Sequence, residues 1–314
     1  MTGNSQAMRI AVPDLVSSSY LPMLAAVRLP PPVGLPDRPA IDHVFPARAT
    51  LEALRDCSVQ FAAVPAHTVP SVFPKWRGAK LLVALSQRTY WLLVAHVDAD
   101  ISPGAVHELH NLRIAAAPGP DHALRQLLID AGVDSDRQRI TIEPLPRQRQ
   151  PGESFGVRAA RALSDGAIDA FWANSMGAEL AVAQGVGRVV LDPRRGDGPP
   201  IAATYTFPAL VATDGVIGSR LEDVRTIVRS IVAAQHALKE APERAREAVA
   251  GLFPPREADF VERLTRRDAP YYSAAVDQRA VDGLNHFTRA IGRADTAADY
   301  DGVVAAGVRD LWSG

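Results

Sequence analysis

Across the first two thirds of the chain, short apolar runs alternate with longer amphipathic stretches, the pattern of strand and helix repeats that build parallel sheets. Residues 9–12 predict a strand, and the polar turn 14–19 supplies serines that can cap a helix over 20–27. A proline-rich connection, 30–39, leads to a strand at 41–45 and a short helix at 47–55. The buried-looking run 59–64 ends in the turn Pro65-Ala66-His67-Thr68, and the runs 80–85 and 90–97 complete a first block. A second block opens at Ile101 with a serine cap and Pro103 in the first turn of a brief helix. It continues with a strand (113–117), a glycine turn (118–122) and a helix (123–131) stopped by Gly132. Then come a strand at 140–145, a linker at 147–154, a helix at 155–163, strands at 168–172 and 187–191, and a helix between them at 176–184. Residues 206–213 read as one more strand. Beyond Arg220 only helices are predicted: Leu221, Val224, Ile227, Val228, Ile231 and Val232 repeat at helical spacing, and 245–253, 260–264 and 281–291 behave likewise. No internal repeat of fixed period is visible.

Composition narrows the class. A chain of 314 residues with 47% hydrophobic and 22% charged residues can bury a substantial core without disulfides or metals. A net charge of −1 supplies no field that would draw it to nucleic acid or anionic lipid. Positive charge is almost all arginine, Lys75, Lys80 and Lys239 being the exceptions; guanidinium suits forked contacts with oxyanions, though a GC-rich genome gives the same bias. The lone Cys57 cannot form an internal disulfide. The start MTGNSQAMRIAVPDL lacks the basic and apolar regions of a signal peptide, so none is expected. The longest apolar runs fall well short of the roughly 18 residues that cross a bilayer, so no membrane span is expected.

Local motifs are mostly weak. Gly152-Glu153-Ser154-Phe155-Gly156 matches the nucleophile-elbow spacing but lacks the preceding strand, so a loop running into a helix cap is expected. His107 and His110 share spacing with no third ligand nearby, and Gly185-Val-Gly187 lacks the rest of a dinucleotide fingerprint. Cys57 reads as a small hydrophobe, with His67 the one local base should it be a nucleophile. More informative are the polar turns at the carboxyl ends of predicted strands: 17–20, 65–68, 86–90, 119–122 and 172–175. In open α/β sheets that edge receives ligands, and helix starts there offer free N–H groups to an anion, although such turns need capping residues in any case.

Two segments carry a family resemblance. ISPGAVHELHNLRIAAAPGPDHALRQLLIDAGVD and ARALSDGAIDAFWANSMGAELAVAQGVGRVV are similar to the second-lobe segments of type II solute-binding proteins of ABC importers, in the sulfonate, nitrate, taurine and thiamine-pyrimidine-precursor group. The likeness extends over nearly the whole chain. It implies an α/β protein with the two-lobed type II periplasmic-binding fold, each lobe a mostly parallel sheet flanked by helices, with a helical C-terminal tail. The implied division is 1–97 for the first part of lobe 1, 98–204 for lobe 2 and 205–314 for the rest of lobe 1, with crossovers near 97–100 and 203–207. By position, Ser18, Ser19, Tyr20, His67, Thr68, Arg88, Tyr90, Asp121, His122, Trp172 and Asn174 resemble the ligand contacts, with Arg88 the counter-charge for an oxyanion and Asp121 repelling one. The segment RLPPPVGLPDRPAIDHV departs from the family's glycine and aromatic entry to the second strand.

The resemblance implies a non-catalytic importer component that captures a small organic acid, sulfonate or nitrogen heterocycle in an inter-lobe cleft. Its partners are the small-molecule ligand and, if exported, an ABC transporter permease, with no cofactor and no metal. The family implies a periplasmic location; with no leader visible, either a leader was removed or the protein is cytosolic. The alternatives are a cytosolic enzyme on the same fold acting on a small aromatic or heterocyclic acid, with Cys57, His67 or His122 as reactive groups, and a cytosolic ligand sensor.

Overall fold

A computed structural model of the chain describes residues 8–31, 38–145 and 155–313. Most of the proline-rich connection, the whole linker 147–154 and with it the Gly152-Glu153-Ser154 part of the elbow-like motif lie outside the described residues. The chain begins with β1 (Arg9–Val12), a 3₁₀ turn (Ser18–Tyr20) and α1 (Leu21–Arg28). β2 (Ala40–His43), α2 (Ala47–Arg55), β3 (Phe61–Pro65) and β4 (Ala79–Ala84) follow. Next come β5 (Trp91–His96), β6 (Leu112–Ala116), α3 (Asp121–Asp130) and β7 (Ile140–Glu143). They lead to α4 (Phe155–Ser164), β8 (Ala170–Asn174), α5 (Ser175–Ala183) and β9 (Gly187–Leu191). After β10 (Pro208–Thr213) the chain is helical: α6 (Asp214–Ser219), α7 (Leu221–Glu240), α8 (Arg244–Val249), α9 (Pro255–Asp268), α10 (Gln278–Ala290) and α11 (Tyr300–Val303).

The strands form two five-stranded sheets, ordered β2-β1-β3-β10-β4 and β7-β6-β8-β5-β9. In the first, β1 runs parallel to β2 and β3, whereas β10 runs antiparallel to both β3 and β4. The second repeats the scheme: β6 is parallel to β7 and β8, and β5 is antiparallel to β8 and β9. Burial follows position. The interior strands β3, β5 and β10 are almost continuously buried, as strands covered on both faces must be, while edge strand β2 keeps an exposed Ala40 and His43. In the first sheet one core face joins Ala62, Val64, Leu81 and Val211 to Leu51 and Leu54 of α2 and to Val281 and Leu284 of α10.

By its contacts the chain divides into one unit of residues 1–15, 19–87 and 207–314 and a second of residues 16–18 and 88–206. The first boundary therefore falls ahead of β5, not behind it as expected. The runs 80–85 and 90–97 look like two arms of one block, but β5 pairs with β8 and β9 and β4 with β10. The stretch 85–90 is a passage from one sheet to the other. The brief helix expected after Ile101 is reduced to a 3₁₀ turn at Val106–Glu108, with the Glu108 carboxylate accepting from the Ser102 N–H at 2.6 Å.

Gly156, the last glycine of the elbow-like motif, lies inside α4, where a Cβ would sit 2.3 Å from Gly177 Cα in α5. Its role is close helix approach. Gly156→Ala forces the two helices apart and is expected to lose about 2 kcal/mol, within the usual range for overpacking, in urea denaturation. At the start of β6 and β8, Asp169 accepts from the Arg113 guanidinium at 2.8 and 2.9 Å and from its backbone N–H. The Arg113 side-chain hydrogen bond holds the Asp169 carboxyl below the usual aspartate range. A depressed native pKa stabilises the fold above the ordinary carboxylate range, and that contribution disappears as pH falls through the native value. Asp169→Asn is therefore expected to lower stability at neutral pH and to flatten its acid-side decline, measured by thermal melts from pH 7 to about pH 3.

Candidate ligand-binding site

Strand direction decides which turns share an edge. In the second sheet Trp91 opens β5 opposite Asn174 at the end of β8, and Leu93 faces Leu191 at the end of β9. The turn before β5, the start of α3, the start of α5 and the loop after β9 therefore all lie along the carboxyl edge of the parallel strands. In the first sheet Pro208 faces Pro65 and Ala209 faces Ala84, which brings the ends of β3 and β4 to the start of β10.

On the second unit's edge, Gly119 takes φ +102, a left-handed conformation that glycine adopts without strain. Its N–H donates to Asp121 Oδ1 at 2.8 Å, and Asp121 Oδ2 is 3.4 Å from Arg125 Nε. The carboxylate at the start of α3 is thus engaged by its own turn. His122 follows in the same first turn, half-buried. Trp172 is fully buried and its indole N–H donates to Pro120 O at 3.1 Å, so it supports the glycine turn from beneath instead of walling a cavity. Asn174 caps α5, its side-chain oxygen accepting from Gly177 N–H at 3.2 Å. Arg88 is exposed at φ +68, and its Nη1 donates to Arg194 O. Tyr90 is buried and its ring packs on Trp91, centroids 4.8 Å apart.

Residues of this edge that sequence reasoning missed are Thr89, Asp192 and Arg194. Thr89 ties its N–H to Ala203 O at 2.9 Å and its hydroxyl to Ala202 O at 2.6 Å. Arg194 is 1% exposed, and its Nε and Nη2 both donate to Asp192 at 3.1 Å. The available signal was Asp192-Pro193 directly after the apolar run of β9, a strand end followed by a cap. Nearby, Tyr205 is buried and donates to Asp130. Burial, reinforced by that hydrogen bond and the carboxylate's charge, pushes its phenol above the usual tyrosine range.

After β1, Ser18, Ser19 and Tyr20 are all buried. His67 and Thr68 follow β3 in a 3₁₀ segment. His67 is buried edge-on against Phe287, ring centroids 5.2 Å apart, and the Thr68 hydroxyl donates to Pro65 O at 2.6 Å. The alternative that pairs Cys57 as nucleophile with His67 as its base is not assembled in the structure. Cys57, expected as a small hydrophobe, is instead exposed in the turn that ends α2, ahead of β3, whereas His67 follows that five-residue strand. Among the described residues no group of three or more His, Cys, Asp or Glu is placed to hold a metal, and no helix is long and apolar enough to cross a membrane.

No protein-family profile matches the chain, and neither does any curated protein sequence. Solved structures match over its whole length. The periplasmic aliphatic sulphonate binding protein SsuA from Escherichia coli superimposes with TM-score 0.68 at 15% identity, covering 99% of this chain and 100% of that one. The periplasmic nitrate-binding protein NrtA from Synechocystis PCC 6803 gives 0.63 at 13%, over 98% and 87%. The desulfurization enzyme DSZB gives 0.61 at 13%, over 98% and 99%. The chain has the two-sheet type II periplasmic-binding fold, as its resemblance implied.

Trp172→Phe removes one of the two donors to Pro120 O, which keeps the Ala123 N–H at 3.1 Å. A loss of about 1 kcal/mol, the net value of one hydrogen bond, is expected, checked by chemical denaturation.

Proposed function

We propose that the chain is the substrate-binding component of an ABC-type importer, taking up a small organic acid, sulfonate or nitrogen heterocycle at the carboxyl edges of its sheets and delivering it to a membrane permease. The observation that carries this reading is the gathering of polarity at those edges. Among the described residues, more than half of the buried polar side chains belong to the edge turns, including Ser17, Ser18, Ser19, His67, Asp192 and Arg194. Each buried polar group needs a partner, so these edges offer polar groups to a ligand as well as caps to their own turns. The names of the sulphonate-binding and nitrate-binding neighbours support the same reading and a periplasmic location.

In this reading Arg88 meets the ligand's anionic group, since a guanidinium can hold two oxygens at once. The edge turns carrying Ser18, Ser19, Tyr20, His67, Thr68, Tyr90, His122 and Asn174 supply the remaining contacts, with Asp121 and Trp172 shaping the α3 turn. A second reading, an enzyme on the same fold acting on a small aromatic or heterocyclic acid, is favoured by the similarity to a desulfurization enzyme. Cys57 drops out of that reading, which leaves His67 and His122 as its reactive groups.

A thermal-shift screen of sulfonates, carboxylates and pyrimidines, with product analysis of each hit, separates the two. A ligand present at about 100 times its Kd stabilises by about 2.7 kcal/mol. Recovered unchanged, it supports the importer component; chemically converted, it makes the chain an enzyme. Arg88→Ala is expected to weaken an anionic hit by about ten-fold or more, and an unchanged affinity would remove Arg88 from the site.

A further inference from the structure

The Asp192 and Arg194 pair is expensive by itself. Desolvating both charges offsets most of their attraction, so a buried pair of this kind adds little net stability. Its geometry is nevertheless closely specified. The Arg194 backbone N–H, Nε and Nη2 converge on the Asp192 carboxylate at 3.0, 3.1 and 3.1 Å. The Asp192 N–H donates to Asp197 Oδ2 at 2.8 Å, and the Arg195 N–H donates to Asp192 O at 3.0 Å. That last bond orients the peptide plane joining Arg194 to Arg195. Because the peptide is planar and trans, its carbonyl points the opposite way. This carbonyl, Arg194 O, accepts from Arg88 Nη1.

Arg88 itself sits at φ +68, a region that costs a non-glycine residue of order 1 kcal/mol. Its two neighbours are pinned: Gln87 N–H donates to Tyr271 O and Thr89 N–H to Ala203 O. Held at the backbone by those bonds and at the guanidinium by Arg194 O, its long side chain is offered in one orientation. A bidentate contact with an oxyanion depends on the plane of the guanidinium as well as on its charge.

We propose that Asp192 and Arg194 are positioning residues for Arg88: the pair locks the turn after β9, the turn sets Arg194 O, and Arg194 O sets the plane in which Arg88 presents its guanidinium to the ligand's anionic group. The ligand part of this statement rests on the binding reading above; the ordering of Arg88 does not.

The test has two arms. In the first, arginine-labelled protein without ligand is studied by NMR, the Arg88 side-chain signals being assigned by their loss in Arg88→Lys. Rotation of the Arg88 guanidinium is expected to speed up by about ten-fold in Asp192→Asn, the equivalent of a lost hydrogen bond. Should Asp192→Asn fail to fold, Asp197→Asn, which frees the Asp192 N–H, is expected to give the same change in a milder form. In the second, calorimetry with ethanesulfonate and with benzoate compares Asp192→Asn in the parent and in the Arg88→Gln background. A loss of about ten-fold in the parent and less than about two-fold beside Arg88→Gln is expected, because coupled residues are non-additive. Equal losses in both backgrounds, or an unchanged Arg88 rotation, overturn the proposal. If neither probe binds the parent protein, the reading of Arg88 as an anion contact fails, while the rotation measurement still decides the positioning role.

Discussion

Each sheet is completed by a strand that runs against its neighbours. β10 lies between β3 and β4 and is antiparallel to both, and β5 stands in the same relation to β8 and β9. An interior strand must pair its N–H and C=O groups on both sides, because an unpaired buried backbone group costs as much as a lost hydrogen bond. The first sheet therefore cannot close until the chain has returned from the second unit, when Pro208 meets Pro65. Everything at the carboxyl edges follows from this. The antiparallel strands deliver their own first residues, and the segments before them, to the edge where the parallel strands end.

That delivery explains why unrelated stretches of sequence meet. Arg88, Thr89 and Tyr90 precede β5, Asn174 ends β8, and Asp192 and Arg194 follow β9, yet the ladder makes them neighbours along one edge. Thr89 closes the same edge against the exit of the second unit through Ala202 O and Ala203 O. A buried ion pair is tolerated here because its hydrogen bonds are short-range and local, with Asp192 and Arg194 two residues apart, so folding a tight turn assembles the pair.

Much of the architecture was legible because most elements advertise themselves locally. Strands such as β3 and β10 are apolar runs bounded by proline or polar turns, and α7 repeats its core residues at helical spacing. The choice of partner was not legible. Residues 80–97 read as two strands around a polar turn, and nothing in that stretch says that its halves enter different sheets; the answer depends on β8, β9 and β10. Cys57 was read as a small hydrophobe because it precedes a buried strand, yet the turn that ends α2 leaves it exposed. Trp172 was placed among the ligand contacts by its position at the end of a strand, whereas its ring is the buried prop of the α3 turn. The repeated strand order of the two sheets is equally invisible as a sequence period, because corresponding strands come from differently spaced parts of the chain.

The two helix starts on the second unit's edge differ electrostatically. An α-helix begins with unpaired N–H groups and a partial positive charge. At α3 that charge meets a carboxylate from the chain itself, Asp121, which already occupies the Gly119 N–H. At α5 the cap is the neutral amide of Asn174, and the first turn holds no acidic residue. Residue pairing sets Trp91, three positions after Arg88, directly opposite Asn174. The α5 start thus carries no carboxylate in its own first turn, whereas Asp121 offsets the α3 dipole. The two helix starts on this edge therefore differ in electrostatic character although both follow a parallel strand of the same sheet.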